Sequence, residues 1–247
     1  MRRFLVDPAA ITGATALLTG SEAHHLAKVL RLKTGEKITL LDTTGARHEA
    51  EIGTITRDAV HLTILASSPP EEETTALHLG QGLLKGKKMD LVVQKATELG
   101  IAAIHPFVSQ HTVARIDEAA KDTRWQRIAL EACKQCNRPQ PPQCHPVHTF
   151  ADLLAEAAPF PMKLLFWEGD GGTPLHHLIT QQDPPTSLFF LIGPEGGFSK
   201  AEHDLAVAAG FTAVTLGRRT LRAETAAIAA AAILQFLIEA IPRDFPP

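Results

Sequence analysis

Residues 188–202, LFFLIGPEGGFSKAE, contain the strand and the turn that decide the fold of this chain. The apolar run 188–192 is short and unbroken, which is typical of a strand buried on both faces of a parallel sheet. A glycine-rich turn over residues 193–198 follows, and Ser199 and Glu202 then have the spacing of a capping box. The stretch therefore predicts a strand, a tight turn and a helix, in that order.

The turn over residues 193–198 is also a candidate binding loop. Glycines let a backbone approach a ligand closely, and α/β sheets bind ligands at the carboxyl ends of their strands. A tight turn that needs a positive φ would account for the same glycines. The pattern alone favours neither explanation.

A second segment, residues 214–225, reads VTLGRRTLRAET and has the same organisation. A predicted strand ends at Gly217, and three arginines follow within five residues, which suits a phosphate or a developing oxyanion. A solvated loop capped by Glu224 or Thr225 is the alternative explanation. The helix predicted at 226–240 is apolar nearly all round, so it must be buried on more than one side, and a subunit interface would supply the second surface.

The rest of the chain divides at about residue 70. Period-two alternation at 37–41, 48–56 and 60–64 predicts a small antiparallel β domain, a barrel, over residues 1–70. Residues 69–75 resemble an exposed linker. From residue 77 onward, predicted strands (77–84, 101–104, 163–167, 188–192 and 214–216) alternate with predicted helices (89–99, 124–136 and 226–240). Residues 71–247 are therefore predicted to form an α/β domain with a parallel sheet.

Composition and charge exclude several classes of protein. The 247 residues are 45% hydrophobic and 21% charged, which is globular rather than disordered. A net charge of −3 gives no global attraction to nucleic acid, so any such contact must be a local patch. Three cysteines argue against a disulfide framework and for the cytoplasm. The weakly polar run 225–238 is too short to span a membrane, and no membrane association is expected.

Two apparent motifs fail when their spacing is tested. Residues 80–88, GQGLLKGKK, miss the phosphate-loop pattern twice and the dinucleotide fingerprint at its third glycine. Lys85 and Lys88 there fit either a solvated loop or phosphate contact. The single pair Cys133 and Cys136 falls inside a helical pattern, and the adjacent Cys144 and His145 cannot easily ligate one ion together. No metal is therefore predicted.

Residues 193–198 and 216–225 together resemble the RsmE-type uridine-N3 methyltransferases of small-subunit ribosomal RNA, in the SPOUT superfamily. The stretch KATELG at 95–100, Glu131 with Arg138, and the start RRF at 2–4 also match this family. The resemblance covers essentially the whole chain. Cys136 is a departure, because the family more often has a small polar residue there.

The resemblance implies a C-terminal SPOUT-type α/β domain with a trefoil knot, an N-terminal PUA-like β-barrel, and a homodimer. It also implies S-adenosylmethionine as the cofactor, held by the backbone of three loops. The residues implied for that site are Leu165, Phe166, Trp167, Ile192, Gly193, Pro194, Gly196, Gly197, Leu216, Gly217, Thr220 and Leu221.

The implied reaction is the methylation of uracil N3 at one uridine of 16S rRNA in the small ribosomal subunit. Arg222 would face the negative charge that spreads over the uracil. Glu195 and Glu224 are candidate bases, although Glu195 is equally suited to bonding the turn and Glu224 to the N-terminus of a helix. The residues implied for RNA contact are Arg2, Arg3, Lys28, Arg31, Lys85, Lys88 and Arg138.

Two other functions are compatible with the resemblance. One is a SPOUT methyltransferase that acts on tRNA or on a ribose 2′-OH. The other is a non-catalytic RNA-binding or assembly factor that has lost its cofactor, and the intact glycines at Gly193, Gly196, Gly197 and Gly217 argue against it.

Overall fold

The computed structural model describes residues 2–69, 75–113, 118–136, 138–169, 171–175 and 185–240. Most of the predicted linker at 69–75 lies outside the described residues. Two compact units make up the chain. The first consists of Met1–Glu72 with Cys133–Gln140, and the second of Glu73–Ala132 with Pro141–Pro247.

The first unit is built on a 6-stranded sheet with the order β1-β4-β5-β6-β3-β2. Its elements are β1 (Arg3–Val6), β2 (Ile11–Thr12), β3 (Thr15–Thr19), α1 (Gly20–His24), β4 (Lys37–Asp42), β5 (Arg47–Ile55) and β6 (Ala59–Ser68). The prediction of a purely antiparallel domain is wrong, because β1 pairs with β4 in parallel. Alternate residues of the long strands, such as Ile38, Leu40, Ile52 and Leu62, form the buried core.

The second unit is built on an 8-stranded parallel sheet, ordered β10-β8-β7-β13-β11-β14-β12, with β9 also paired to β8. Its strands are β7 (Ala76–Gly82), β8 (Ala103–Val108), β9 (Gln143–Cys144), β10 (His148–Thr149), β11 (Met162–Phe166), β12 (Thr173–Pro174), β13 (Ser187–Ile192) and β14 (Thr212–Thr215). Its helices are α2 (Lys87–Glu98), α3 (Glu118–Cys136), α4 (Phe150–Glu156), α5 (Lys200–Ala208) and α6 (Ala223–Ala240).

Strand β13 lies inside this sheet between β7 and β11, and it is buried on both faces, as its unbroken apolar run predicts. Leu188 and Phe190 belong to the core that also includes α2 and α6. Phe189 and Leu191 point to the opposite face and belong to the core that includes α4 and α5. Because successive side chains of a strand alternate in direction, one short segment contributes to both cores.

Helix α6 packs most of its alanines into the larger core but leaves part of its surface exposed. Ala227, Ala230 and Leu234 are buried, whereas Phe236 is 67% exposed and Ile233 is 39% exposed. These two exposed residues are three apart, so they share one face of the helix. No helix among the described residues is both long enough and apolar enough to cross a membrane.

Candidate functional site

Three loops meet where β11, β13 and β14 end, because these strands are neighbours and run in parallel. They enclose a cavity of about 480 Å³. We call residues 166–169, 193–198 and 216–222 the cavity loops. The full lining comprises Lys88, residues 166–169, 192–195, 197–198 and 214–224, and Ala226.

The turn over residues 193–198 needs glycine for its backbone conformation, which is one of the two explanations that the sequence left open, and also for close contacts with neighbouring residues. Gly197 has φ +67°, and its N–H donates to the Pro194 carbonyl at 3.0 Å, so the turn is tight. A Cβ at Gly197 would also lie 2.1 Å from Oε1 of Glu168, across the cavity. At Gly196, a Cβ would lie 2.8 Å from the Cβ of His111. Side chains at these positions would therefore disturb both the turn and its surroundings.

The glycines at 80 and 82, which fit no nucleotide motif, allow β7 to approach β13 and its loop closely. A Cβ at Gly80 would lie 2.4 Å from Cδ2 of Leu191. A Cβ at Gly82 would lie 2.5 Å from the backbone nitrogen of Pro194, which has no freedom to move away. The buried side chain of Gln81 donates through Nε2 to the carbonyls of Gly82 and Gly193, at 2.9 and 3.4 Å.

Glu195 is bound to Lys85, which precedes α2, and to Lys88 in the first turn of α2. Its Oε1 accepts from the backbone N–H of Lys85 at 3.0 Å and from the ammonium of Lys88 at 3.1 Å. Partial burial raises the pKa of the Glu195 carboxyl, but these hydrogen bonds outweigh burial and leave the pKa below its usual range. The carboxylate is therefore ionised and already paired, which weakens it as a proton acceptor.

The loop between β14 and α6 carries the three arginines of the cavity lining. Arg218, Arg219 and Arg222 are all exposed and line it. The first turn of α6 contributes Glu224, whose Oε2 is buried without a hydrogen-bond partner. Because a buried carboxylate oxygen that lacks a donor is costly, this atom is available to a ligand proton.

Most of the residues predicted for cofactor binding come together at the cavity. Ten of them line it: Phe166, Trp167, Ile192, Gly193, Pro194, Gly197, Leu216, Gly217, Thr220 and Leu221. Leu165 and Gly196 are not in the lining, because Leu165 packs into the core on one face of the sheet and Gly196 contacts His111. The predicted catalytic residues Arg222, Glu195 and Glu224 all line the cavity.

The residues predicted for RNA contact are distributed over both units. Lys85 and Lys88 lie beside the cavity through their bonds to Glu195. The other five belong to the first unit, where Arg138 is half-buried and the remaining four are exposed: Arg2, Arg3, Lys28 and Arg31. Among the described residues other than glycine, Arg31 has a positive φ, of 53°.

Sequence reasoning missed Glu168 and Gly169, which line the cavity after β11. The signal was present, since both residues directly follow a predicted buried strand, at the carboxyl end where ligands bind. It also missed His111, whose Nδ1 lies 3.0 Å from the carbonyl oxygen of Gly196. No local pattern marks His111, because it reaches the turn from a distant part of the chain.

Comparison with known proteins agrees with this geometry. The RNA methyltransferase domain family matches residues 71–235, and the RNA methyltransferase PUA domain family matches residues 18–65. The chain is 33% identical to ribosomal RNA small subunit methyltransferase E of Synechocystis sp. and covers 78% of that protein with 96% of its own length. It is 29% identical to the Bacillus subtilis protein of the same name, with 93% of each chain covered.

A crystal structure of the Neisseria gonorrhoeae ribosomal RNA small subunit methyltransferase E bound to S-adenosyl methionine is also similar. It superimposes with a TM-score of 0.80 at 33% identity, covering 96% of this chain and 98% of that one. The resemblance in the sequence, the two domain families and the structural match all agree. This chain belongs to the ribosomal RNA small subunit methyltransferase E family, with a PUA domain and an RNA methyltransferase domain.

Proposed function

We propose that this protein transfers the methyl group of S-adenosylmethionine to N3 of a uridine in 16S rRNA of the small ribosomal subunit. The proposal rests mainly on the cavity. Three loops at the ends of adjacent strands bound it, and each loop contains glycine or arginine. Membership of the small subunit methyltransferase E family supplies the substrate class.

The cavity fits S-adenosylmethionine in size and in chemistry. A volume of about 480 Å³ lies within the usual range for sites that bind small molecules. Phe166, Ile192 and Leu221 supply apolar surface, while Gly193 and Gly197 contribute backbone without a side chain to the cavity wall. When bound, S-adenosylmethionine supplies an electrophilic methyl group. We therefore assign its binding to the cavity loops, mainly through their backbone.

Charged residues of the cavity are assigned to stabilise charge on the uracil and to accept its proton. Uracil N3 must lose its proton before its lone pair can attack the methyl group, and the resulting negative charge is shared with the neighbouring carbonyl oxygens until methyl transfer neutralises it. Arg222 is assigned to stabilise that charge and to orient the base. Glu224 is the preferred proton acceptor because its Oε2 has no partner, whereas Glu195 is already bound to Lys85 and Lys88.

RNA binding is assigned to local basic patches, since the net charge of −3 supplies no general attraction. Arg2, Arg3, Lys28 and Arg31 are exposed on the first unit, and Arg138 belongs to the same unit. Lys85 and Lys88 lie beside the cavity. Contacts of this type recognise folded RNA through its phosphates and shape.

We further propose a homodimer and the trefoil knot of the family. The dimer is supported by the exposed face of α6, where a large aromatic residue, Phe236, is 67% exposed. Replacement of Phe236 by Glu is expected to convert the dimer to monomer in light scattering, whereas replacement of the exposed Leu205 of α5 leaves it intact. A monomeric wild-type protein would contradict the proposal.

The decisive experiment incubates the protein with radiolabelled S-adenosylmethionine and small ribosomal subunits that lack base methylation, and then maps the labelled nucleoside. The expected product is 3-methyluridine at one position of 16S rRNA. Label in a ribose or in tRNA would support methyltransferase activity but contradict the proposed substrate. Failure to bind the cofactor in calorimetry would favour a non-catalytic RNA-binding factor.

A further inference from the structure

Three histidines and one glutamate converge on the parallel sheet at a place separate from the cavity lining. His105 lies in β8, His145 directly follows β9, His148 begins β10, and Glu156 ends α4. One nitrogen or oxygen atom of each lies within 4.8 Å of the corresponding atom of every other. We call these four residues the histidine cluster.

Strand register explains why these residues meet. Strand β9 runs in parallel with β8, with Cys144 opposite Ile104, and the N–H of His145 donates to the carbonyl of Ile104 at 2.9 Å. His145 therefore lies beside His105, and their rings stack with centroids 4.0 Å apart. His148 is paired with Phe107 two residues further along β8, on the other short strand.

The distances from Glu156 to the three histidines match those between two ligands of one ion. Oε1 of Glu156 lies 3.2 Å from Nδ1 of His105 and 3.3 Å from Nδ1 of His145, and Oε2 lies 3.2 Å from Nε2 of His148. A tetrahedral ion with bonds of about 2.0–2.1 Å holds its ligand atoms about 3.3 Å apart. Among the described residues, Nδ1 of His105 and Nε2 of His148 are buried without a hydrogen-bond partner, despite this proximity.

The second ring nitrogen of His105 is already occupied. Its Nε2 lies 3.1 Å from Nδ1 of His78, so a proton on Nε2 can be donated to His78, which leaves Nδ1 as a free lone pair. Ligand histidines in metal sites are commonly oriented in this way.

We propose that His105, His145, His148 and Glu156 bind one divalent transition-metal ion, with zinc the best match. Three imidazoles and a carboxylate form a four-ligand set of the kind that tetrahedral zinc accepts. Because all four positions are filled by protein, the site is structural: the ion ties β9, β10 and the end of α4 to β8. This departs from the prediction that the chain binds no metal.

The cysteines do not offer a competing site. Burial raises the pKa of the Cys133 thiol to about 11, so Cys133 is protonated at neutral pH and is a poor ligand. Cys144 precedes His145 but is not among the residues whose ligand atoms converge. A bound ion should therefore have nitrogen and oxygen ligands only, which spectroscopy can distinguish from sulfur.

The test uses the full-length protein after dialysis against a chelator, titrated with Co²⁺ and then with Zn²⁺. We expect one equivalent of Co²⁺ to give the visible absorption of a tetrahedral site without a thiolate charge-transfer band, and Zn²⁺ to displace it. The variants His148→Gln and Glu156→Gln should each weaken binding by at least about tenfold. The matched control is the double variant His24→Gln, His25→Gln, which removes two exposed histidines of the first unit, and Cys144→Ser is the control for sulfur.

Three results would overturn the proposal. The first is wild-type protein that binds neither ion with one-to-one stoichiometry, in which case the cluster is only a polar network. The second is binding that both His148→Gln and Glu156→Gln retain at full affinity. The third is a thiolate band that Cys144→Ser abolishes. Because the first result is obtained with the wild-type protein, it can overturn the proposal even if a substituted protein fails to fold.

Discussion

The cavity loops and the histidine cluster belong to the same parallel sheet, but they are built from different parts of the chain. The cavity loops consist of glycine backbone, apolar side chains and a few arginines, all within segments that directly follow strands. The histidine cluster consists of four side chains from β8, β10, α4 and the residue after β9. One site depends on the path of the backbone, and the other depends on side chains that strand register brings together.

This difference predicts different sensitivities to substitution. A site made by backbone tolerates the loss of most side chains but not the addition of atoms where chains approach closely. A site made by converging side chains loses its ligand when one donor is removed, yet tolerates changes beside it. Arg222 is a third case, because the proposed function assigns it to the reaction rather than to the shape of the cavity.

The largest expected effect is that of Arg222→Ala on methyl transfer. Loss of a group that stabilises developing negative charge typically lowers kcat by about 10²–10³-fold. Affinity for S-adenosylmethionine should remain unchanged, because the cavity is formed mainly by backbone and apolar residues. Single-turnover kinetics and calorimetry measure the two quantities. Arg127→Ala, an exposed arginine of α3 outside the cavity lining, is the matched control. A wild-type rate of methyl transfer in the Arg222→Ala protein would show that Arg222 takes no part in the reaction.

The second-largest expected effect is on cofactor affinity and compares two glycines. Gly82 is needed for a close approach to Pro194, whereas Gly86 is needed for its backbone conformation. Gly82→Ala places a methyl group against the backbone of Pro194, so it should displace the 193–198 turn and weaken cofactor binding by about 10–10²-fold. Gly86→Ala meets no atom within 4 Å, although its φ of +59° makes the variant strained. Gly86→Ala should therefore lose stability but keep its affinity for the cofactor. Equal affinities for the two variants would show that the approach of Gly82 to Pro194 does not shape the site.

The same contrast explains what the sequence could predict. Residues 163–167, 188–192 and 214–216 are predicted as strands and correspond to β11, β13 and β14. The loops after β13 and β14 could be predicted because each is one continuous segment, whereas Glu168 and Gly169 after β11 were missed. Strands β9 and β10 have two residues each, too few for any periodicity to appear. The histidine cluster was missed for the same reason, because only the pairing of β9 with β8 brings His145 beside His105.

A smaller effect is expected when the histidine cluster is altered. Saturating zinc should raise the melting temperature of the wild-type protein by about 5–10 °C, as binding at about 100 times Kd would produce in a chain of this size. His148→Gln should not respond to zinc, and its rate of methyl transfer at moderate temperature should match that of the wild type, since His148 does not line the cavity. Calorimetric melting with and without chelator measures the first quantity. A large loss of methyl transfer in His148→Gln would show that the histidine cluster and the cavity loops do not function independently.

The smallest effect concerns Glu195, which lies in a cavity loop but acts there through its side chain. Its hydrogen bonds with Lys85 and Lys88 hold its pKa below the ordinary value of 4.5. A carboxyl with a lowered pKa in the folded state contributes stability above the unfolded-state pKa, and this contribution is lost as the pH falls through the folded-state pKa. Glu195→Gln should therefore be less stable than the wild type by up to about 1 kcal/mol at pH 7.

The difference between Glu195→Gln and the wild type should shrink as the pH falls below 4.5, when the wild-type carboxyl itself becomes protonated. Urea unfolding at pH 7 and again at successively lower pH measures this trend. Glu36→Gln is a suitable control, because Glu36 lies in the first unit and is not among the residues that line the cavity. A difference in stability that stays constant with pH would mean that Glu195 stabilises the turn through its shape and hydrogen bonds rather than through its charge.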